Sequence, residues 1–451
     1  MNFEGVRVLV VGLGRSGQAA VELLRARGAR VRATDLKQPS PAVLDKLRAG
    51  GVEFLLQSPE AFRGVEWIVL SPGVPADLPE LLEARARGVR VIGEVELGGY
   101  YLLGPVLGIT GSNGKTTTTA LAGHILRQCG IPAQVGGNIG LPVCAMVASS
   151  RSAQWNVLEL SSFQLETIER FRARLAVGLN VTADHLDRHK SFANYAAQKA
   201  RLFQTQTAED FAVLNRDDPV CASWAAVTRA QVRWFSLRGL APEGACLREG
   251  QLWLEGRPFM AAAEIPLRGM HNVENVLAAA LATRLAGAPP EGIREAVRSF
   301  PGVEHRLEFV RRVGGVDFYN DSKATNVDAA LKALDSFSTP LWVILGGKDK
   351  EGDYRPLREP LARKARAALL IGAAAGKIAS HLGDAVPLVH CGTLDKAVEY
   401  AWQHAAPGDT VLLAPACASF DQFENFEHRG RVFKELVAQL ASPRESGSKE
   451  A

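Results

Sequence analysis

A glycine-rich loop occupies residues 108–119, which read Gly-Ile-Thr-Gly-Ser-Asn-Gly-Lys-Thr-Thr-Thr-Thr. An apolar run precedes the loop and a helical pattern follows it. Successive backbone N–H groups in such a turn face an anion, the helix N-terminus adds partial positive charge, and Lys115 adds a full one. The Thr116 hydroxyl stands where it could ligate Mg²⁺. The segment therefore predicts a phosphate-binding loop, with ATP as the expected ligand. Its expected contacts are Gly111, Ser112, Asn113, Gly114, Lys115, Thr116 and Thr117.

The glycine spacing of this loop departs from the general nucleotide-binding pattern. The motif G-x-x-x-x-G-K-[ST] requires glycine at position 109, where this chain has Ile109. The order of strand, turn, lysine, hydroxyl and helix is nevertheless complete. This order favours a phosphate site over a purely structural turn, and the displaced glycine indicates a variant of the motif.

Acidic and imidazole side chains follow two later predicted strands. Glu159 comes directly after an apolar run, where a parallel sheet delivers an acidic ligand to a nucleotide-bound Mg²⁺. Asp184 and His185 follow the next strand, and His185 is the stronger candidate for a ligand. Lys199 lies in a helical stretch where its residue type alone predicts a solvated side chain. Asn138 lies in a turn that we predict between helical segments, and spacing gives it no role.

A second glycine motif, Gly12-Leu-Gly14-Arg-Ser-Gly17, follows the first predicted strand. Its G-x-G-x-x-G spacing lets the backbone approach a diphosphate, and Asp35 stands at the distance expected of a ribose-binding acid. NAD and UDP both carry a diphosphate and a ribose, so the motif leaves both open. The turn at residues 71–75, Ser-Pro-Gly-Val-Pro, could form another edge of the same pocket.

Alternating strand and helix patterns predict the elements that position these residues. The fold class is α/β with three domains: a Rossmann-like N-terminal domain, a central phosphate-loop domain with a mostly parallel sheet, and a Rossmann-like C-terminal domain. We place the domains at residues 1–103, 104–301 and 302–441 and predict a disordered tail at 442–451, whose sequence is polar.

Composition and charge exclude several classes of protein. At 451 residues the chain is longer than a single hydrophobic core usually serves, so more than one domain is expected. Lys and Arg number 52 against 48 Asp and Glu, an excess too small to predict nucleic-acid binding or attachment to a membrane surface. No apolar run approaches the ~18 residues of a membrane span. The six cysteines are scattered without a C-x-x-C pair, which fits a reduced cytoplasmic setting.

The order of these segments resembles the Mur ligase family, whose members use ATP to join an amino acid to a carboxylate. The Thr-Gly-Ser-Asn-Gly-Lys-Thr loop carries the resemblance in the centre of the chain. In the third domain it is carried by Asp321-Ser-Lys-Ala-Thr-Asn326, Leu345-Gly-Gly-Lys-Asp-Lys350 and the segment 415–430, and these are most similar to members that add D-glutamate to UDP-N-acetylmuramoyl-L-alanine. The resemblance covers nearly the whole chain.

The resemblance implies a set of substrates and site residues. Two Mg²⁺ ions are implied, one near Thr116 and Glu159 and one held by His185 and a carbamylated Lys199. Residues implied near ATP, beyond the loop, are Asn272, Asn275, His305, Arg306 and Asp321. Residues implied to bind the UDP substrate are Gly14, Arg15, Ser16, Asp35, Ser71, Gly73 and Asn138. Residues implied to bind D-glutamate are Thr325, Lys350, Ser419 and Phe426, with Lys348 as the alternative lysine. The implied catalytic residues are Lys115, His185, Lys199 and Lys323.

The implied reaction belongs to peptidoglycan precursor synthesis. ATP would convert the L-alanyl carboxylate to an acyl phosphate, which the amine of D-glutamate attacks. We expect a cytoplasmic monomer that inserts into no membrane and binds no nucleic acid. The alternatives are a sibling ligase for another amino acid or a folate-type polyglutamating enzyme, a nicotinamide-dependent oxidoreductase suggested by the first glycine motif, and a regulatory ATP-binding protein without turnover.

Overall fold

The computed structural model describes residues 1–239 and 241–440, so the predicted tail at 442–451 lies outside the described residues. The chain forms two compact units. The first unit comprises Met1–Ile265 with Glu274–Phe300, and the second comprises Pro266–Val273 with the chain from Pro301. Two sheets belong to the first unit and one to the second. Among the described residues, no helix has the length and apolar character needed to cross a membrane.

The first sheet is parallel throughout. Its strands are β1 (Arg7–Val11), β2 (Arg30–Asp35), β3 (Glu53–Leu56), β4 (Trp67–Leu70) and β5 (Arg90–Gly93). Its helices are α1 (Arg15–Ala26), α2 (Pro41–Ala49), α3 (Pro79–Ala86) and α4 (Glu94–Gly99). The strand order is β3-β2-β1-β4-β5, so the order reverses between β1 and β4. Ligands of such sheets bind outside the carboxyl ends of the strands at this switch point. The turns after Val11 and Leu70 lie there.

The second sheet is mostly parallel, as the sequence predicts. Its strands are β6 (Val106–Thr110), β7 (Ala133–Gly137), β8 (Trp155–Glu159), β9 (Leu175–Gly178), β10 (Phe211–Asn215), β11 (Gln231–Ser236), β12 (Ala245–Arg248), β13 (Gln251–Leu254) and β14 (Arg257–Ala261). The order is β14-β13-β12-β11-β10-β9-β6-β8-β7, in which β12, β13 and β14 form an antiparallel meander. The associated helices are α5 (Lys115–Gln128), α6 (Val143–Met146), α7 (Ser162–Leu165), α8 (Leu186–His189), α9 (Phe192–Gln204), α10 (Pro219–Ser223), α11 (Met270–Leu285) and α12 (Pro290–Arg298).

Strand β7 corrects the prediction that Asn138 lies in a turn between helical segments. The turn follows β7, whose residues pair in parallel with β8 so that Gly137 is opposite Glu159. A strand that reads Ala-Gln-Val-Gly-Gly has only one β-branched residue and ends in two glycines, so it lacks the run of β-branched residues that identifies strands. Pairing with β8, rather than local propensity, produces it.

The third sheet forms the core of the second unit. Its strands are β15 (Glu308–Val313), β16 (Val316–Asn320), β17 (Leu341–Gly346), β18 (Ala365–Ile371), β19 (Leu388–Gly392) and β20 (Thr410–Leu413), in the order β15-β16-β20-β17-β18-β19. Its helices are α13 (Val327–Asp335), α14 (Arg358–Lys364), α15 (Ala375–Leu382), α16 (Leu394–His404) and α17 (Phe426–Gln439). Strand β15 is antiparallel to β16. They are joined by Gly314 and Gly315, both with positive φ, which a tight hairpin turn of this handedness requires.

Helix α4 contributes two buried carboxylates that contact the second sheet's domain. The Glu96 carboxylate accepts hydrogen bonds from the backbone N–H groups of Glu169, Arg170 and Phe171 at 2.8–2.9 Å. Glu94 Oε1 accepts a hydrogen bond from the Cys144 N–H at 2.6 Å, while Oε2 has no partner among the described residues. Burial raises the pKa of Glu94 to about 7, so this carboxyl is largely protonated at slightly acid pH.

The raised pKa of Glu94 predicts a pH-dependent free energy of unfolding. An unfolded glutamate ionises near pH ~4.3. Between that value and about pH 7 the unfolded chain has lost the proton that the folded chain keeps, so stability falls as pH rises. We expect a loss of about 3 kcal/mol over this interval relative to Glu94→Gln, measured by urea unfolding from pH 4.5 to 8. The exposed Glu83→Gln variant should follow the wild type, and superimposable profiles for wild type and Glu94→Gln would contradict the prediction.

Candidate active site

The glycine-rich loop connects β6 to α5 in a conformation that its glycines permit. Gly111 has φ 155° and Gly114 has φ 83°, values that L side chains rarely adopt. A Cβ at Gly114, the residue that caps α5, would overlap Asn275 Oδ1. The loop is fixed by Asn180, whose carbonyl accepts from Ser112 N at 2.8 Å and whose Oδ1 accepts from Asn113 N at 2.9 Å. The loop is thus held in place by the segment that follows β9.

Lys115 and Thr116 begin α5 and face the loop and its neighbours. Lys115 Nζ donates to the carbonyls of Gly111 and Ser112, each at 2.9 Å, so its ammonium lies over the loop. Thr117 is buried on the same first turn. A positive charge, a left-handed glycine and a helix N-terminus therefore occur together, which is the arrangement that binds phosphate.

Glu159, at the end of β8, is the acidic centre of the site. Its side chain is 1% exposed, and Oε2 accepts from the Thr116 hydroxyl at 2.7 Å. Oε1 accepts from Asn138 Nδ2 at 2.7 Å, and the Glu159 carbonyl accepts from Asn138 N at 2.9 Å. A carboxylate and a hydroxyl beside a phosphate loop form an oxygen donor set that fits Mg²⁺. The structure thereby gives Asn138 a position that sequence spacing could not.

Lys199 is buried, and the expectation of a solvated lysine is wrong. Its side chain is 1% exposed on the face of α9 that packs into the core with Tyr195 and Phe203. Nζ donates to the Gly111 carbonyl at 2.8 Å and lies 4.5 Å from the centre of the Tyr195 ring. Burial, reinforced by the nearby charge of Lys115, lowers the pKa of Lys199 well below its usual value. A lowered pKa increases the fraction of the amine that is neutral and therefore nucleophilic.

The two histidines near β9 have different surroundings. His185 has a left-handed backbone (φ 53°), its Nε2 lies 3.7 Å from Asp184 Oδ2, and its ring meets Phe163 edge-on at 4.9 Å. His189 is buried, with Nε2 2.9 Å from Ser162 Oγ, and burial lowers its pKa. His189 therefore has a packing role, whereas His185, a third of whose side chain is exposed, is open to a ligand.

One cavity of about 570 Å³ gathers the predicted residues of the first glycine motif. Its lining includes Gly14, Arg15, Ser16, Asp35, Ser71, Gly73 and Asn138. Ser71 Oγ donates to the Gly12 carbonyl at 2.7 Å, and the Arg15 guanidinium donates to the Gly140 carbonyl. The cavity therefore extends from the switch point of the first sheet to Asn138, the partner of Glu159.

Asp35 differs in its contacts from a free ribose-binding acid. Its Oδ2 accepts from the Leu13 N–H at 2.6 Å, and its Oδ1 accepts from the Lys37 N–H at 3.2 Å. The carboxylate thus fixes the glycine turn while it lines the cavity. This arrangement weakens the argument that Gly12–Gly17 and Asp35 together specify a nicotinamide dinucleotide, since the acid has a structural task.

The two asparagines near the start of α11 have different partners. Asn275 is buried, and its Oδ1 accepts from Thr118 Oγ1 at 3.3 Å on the phosphate-loop helix. Asn272 Nδ2 donates to the Arg268 carbonyl at 2.7 Å, a local contact at the helix start. The structure therefore brings Asn275 to the loop and gives Asn272 a contact within its own segment.

In the second unit, the predicted residues follow three neighbouring strands, β16, β20 and β17. Thr325 follows β16 and Ser419 follows β20, while Phe426 begins α17. Lys323 Nζ lies 5.1 Å from the centre of the Phe426 ring. Lys348 and Lys350, which follow β17, are both exposed, and the backbone of Lys348 forms a bridge with Ala418, next to Ser419.

The residues around the start of β15 include buried titratable groups. His305 has a left-handed backbone (φ 63°), and its Nδ1 lies 2.9 Å from Asn320 Nδ2. Burial raises the pKa of Asp321 to about 6, although the Arg306 charge opposes that shift. Arg306 Nε is buried without a hydrogen-bond partner in the described part of the chain. His305, Arg306 and Asp321 therefore lie in one neighbourhood of the second unit.

Comparisons with known proteins cover all three parts of the chain. Family models match residues 6–93 (Mur ligase MurD-like, N-terminal domain), 109–283 (Mur ligase middle domain) and 305–417 (Mur ligase, glutamate ligase domain). The UDP-N-acetylmuramoylalanine–D-glutamate ligase of Solibacter usitatus is 64% identical over 98% of this chain and 99% of its own. The ligase of the same name from Acidobacterium capsulatum is 54% identical over 97% of each chain. The chain belongs to the Mur ligase family.

Solved structures share the fold of this Mur ligase. The MurF ligase from Thermotoga maritima in complex with ADP gives a TM-score of 0.63 at 16% identity, covering 97% of this chain and 96% of that one. The pseudomurein peptide ligase type C from Methanothermus fervidus gives 0.61 at 18% identity, covering 97% and 100%. The three-domain α/β fold predicted from the sequence is thereby confirmed.

The conformation of Gly114 predicts that this Mur ligase loses ATP affinity when a methyl group is added there. Gly114→Ala combines a strained φ with a clash against Asn275, so we expect Mg-ATP to bind at least about tenfold more weakly in calorimetric titration. Gly130→Ala is the matched control, because Gly130 also has positive φ (71°) but has nothing within 4 Å of a built Cβ. The control should lose stability without losing affinity. Equal affinities of the two variants for Mg-ATP would refute this role of Gly114.

Proposed function

We propose that this Mur ligase adds D-glutamate to UDP-N-acetylmuramoyl-L-alanine in peptidoglycan precursor synthesis, with ATP as the energy source. One observation carries the proposal: relatives with this activity in their names match the chain from end to end, including the third-sheet loops. The domains at 1–103, 104–301 and 302–441 would bind the UDP substrate, ATP and the amino acid. Cytoplasmic location and a monomeric state stay predictions.

The first unit supplies two of the proposed sites. The 570 Å³ cavity suits a uridine diphosphate, because the glycine turn lets the diphosphate approach the backbone. Asn138 and Glu159 lie where the cavity nears the phosphate loop, so the alanyl end of the substrate would be directed toward ATP. Lys115 and Thr116 would contact the ATP phosphates. Asn275 is a further proposed ATP contact in this unit, whereas Asn272, His305, Arg306 and Asp321 belong to the second unit and stay predicted ATP contacts.

Two Mg²⁺ ions are proposed as cofactors. Thr116 and Glu159 would hold one, and His185 with a carbamylated Lys199 would hold the second. When bound, Mg²⁺ neutralises charge on the transferring phosphoryl group. In its neutral form the Lys199 amine would attack carbon dioxide. An N–C bond forms, the electrons of one C=O π bond move to oxygen, and an N–H proton passes to solvent, so a neutral amine becomes an anionic oxygen ligand.

The proposed reaction needs positioning more than a covalent nucleophile. The L-alanyl carboxylate attacks the γ-phosphorus of ATP, the bond to ADP breaks, and an acyl phosphate forms. The D-glutamate amine then attacks the acyl carbon, an amide C–N bond forms, and phosphate leaves as the amine gives up a proton. Lys115 would hold phosphate oxygens throughout. Lys323 would lie close to the reacting groups, while Thr325, Ser419, the Phe426 backbone and Lys350 or Lys348 would bind the two carboxylates.

The function is tested by phosphate release with UDP-N-acetylmuramoyl-L-alanine, Mg-ATP and one amino acid at a time. We expect release with D-glutamate, in equal amounts with ADP and the new amide, and none when Lys115 is replaced by alanine. Release with a different amino acid alone would assign the chain to a sibling ligase. ATP binding without release would favour a regulatory protein. Oxidation of a hydroxy acid with NAD would favour the oxidoreductase.

The buried environment of Lys199 gives a separate prediction of chemical rescue. Lys199→Ala should lose at least about a hundredfold in kcat, because a proposed metal ligand is removed. A short-chain carboxylic acid such as acetate or propionate should restore part of this loss by occupying the position of the carbamate. Lys396→Ala, an exposed lysine on α16, should keep full activity without any addition. Full activity of Lys199→Ala without added acid would remove Lys199 from the site.

A further inference from the structure

The three loops that carry the proposed D-glutamate residues leave the sheet from adjacent strands. Thr325 follows β16, Ser419 follows β20 and Lys350 follows β17, and the sheet order places β20 between the other two strands. Parallel pairing fixes where each strand ends, but it does not fix the direction of the loop beyond it. Paired donors for two carboxylates need loops held to within a fraction of an ångström. Backbone hydrogen bonds join the loops in pairs, from Ala416 N to the Ala324 carbonyl and from Lys348 N to the Ala418 carbonyl, each at 2.8 Å. A side-chain contact common to all three loops would fix them further.

Arg429, in the first turns of α17, makes that contact. Its side chain is 0% exposed. Nε donates to Ser322 Oγ at 3.0 Å, and Nη2 donates to the Ser322 carbonyl at 2.8 Å in the loop after β16. In the loop after β20, Nη2 also donates to the Cys417 carbonyl at 3.2 Å, and Nη1 donates to the Ala418 carbonyl at 3.4 Å. One guanidinium thus joins two of the loops.

The third loop packs directly against the same guanidinium. A Cβ built on Gly347 would overlap the Ala418 carbonyl oxygen and lie 3.2 Å from Arg429 Nη1, so the bare backbone of Gly347 fits closely between the loop after β20 and the arginine. Ser322, which accepts from Arg429, also donates its hydroxyl to the Phe426 carbonyl at 2.8 Å. Arg429 therefore contacts all three loops and, through Ser322, the start of α17.

A second connection joins two of these loops through Tyr354. The Tyr354 hydroxyl donates to Asp349 Oδ1 at 2.7 Å and lies 3.0 Å from Cys417 Sγ. Lys377 Nζ donates to Asp349 Oδ2 at 2.7 Å. Asp349 lies between the two candidate lysines after β17, and Cys417 is two residues from Ser419. The loops after β17 and β20 are consequently joined through Tyr354 as well as by the backbone bridge between Lys348 and Ala418.

The energetics of Arg429 argue against a purely space-filling role. Burying a guanidinium costs several kcal/mol unless its charge is compensated, and apolar side chains often fill such positions with equal or greater stability. Among residues 1–239 and 241–440, Arg429 forms no salt bridge. Its planar fork instead donates to three backbone carbonyls and one hydroxyl on two loops, a spread that the compact ammonium of lysine, with three donors on one atom, does not match. Burial lowers the pKa of Arg429 to about 10, so it is still charged at neutral pH.

We propose that Arg429 is a positioning residue for the incoming amino acid. It holds the loops that carry Thr325, Ser419 and Lys350 in one arrangement, so that donors for both carboxylates of D-glutamate are in place before the substrate binds. Tyr354 supports two of the three loops in the same way. The inference rests on the proposed function of the second unit.

Steady-state kinetics of the full chain test this inference. Arg429→Lys keeps a positive charge but loses the fork, so we expect its KM for D-glutamate to rise at least about tenfold. Its KM values for ATP and for UDP-N-acetylmuramoyl-L-alanine should stay within about twofold of the wild-type values. Its kcat at saturating D-glutamate should also stay within about twofold, because bound substrate can hold the loops of the variant in place. Arg431→Lys is the matched control, since Arg431 lies exposed on the same helix, and all its constants should equal those of the wild type.

If Arg429→Lys does not fold, Tyr354→Phe provides a second test of the inference. It removes one hydroxyl and leaves Asp349 bonded to Lys377 and Gly352 N, so we expect a milder rise of about threefold in the KM for D-glutamate alone. The inference fails if the folded variants keep the wild-type KM for D-glutamate, or if all three KM values rise together. If the wild type uses another amino acid in place of D-glutamate, the proposed function is wrong. The KM ratios of variant to wild type, measured with that amino acid, would still test the role of Arg429.

Discussion

Parallel pairing around β6 is the constraint on which the first unit depends. Strand β6 lies between β8 and β9, with Ile109 opposite Glu159 on one side and Val177 on the other. This register brings the phosphate loop, the acid of β8 and the segment after β9 to one edge of the sheet. The hydrogen bonds from Thr116 to Glu159 and from the loop to Asn180 follow from it. The same rule places the three loops of the second unit at one edge of the third sheet.

Buried polar groups are the second common feature of the candidate sites. Lys199, Glu159 and Arg429 are each almost fully buried, and each is hydrogen-bonded to backbone or side-chain partners on another element. Such groups cost stability when they lose a partner, so they fix the relative positions of the elements they join. Burial also changes their chemistry. The low pKa of Lys199 makes its amine reactive, whereas Arg429 keeps its charge.

Local patterns predicted much of the secondary structure. Short apolar runs flanked by turn residues identify buried parallel strands, and the runs at Arg7–Val11, Trp67–Leu70 and Phe211–Asn215 are strands in the structure. The turn after β7 was placed between helices, because the strand before it is glycine-rich and short. The antiparallel meander at the edge of the second sheet is not predicted, since its strands have only four or five residues each and lack a long continuous apolar run.

The sequence by itself determined the phosphate loop, the three-domain α/β class and the family, because those depend on residue types at fixed spacing along one segment. Only the tertiary structure decided that Lys199 is buried, that Asn138 meets Glu159, that Asp35 holds its own glycine turn, and that Arg429 joins two loops and packs against a third. Each of these depends on contacts between segments far apart in the chain. Burial and hydrogen-bond partners are properties of packing, and a periodic pattern within one segment does not contain them.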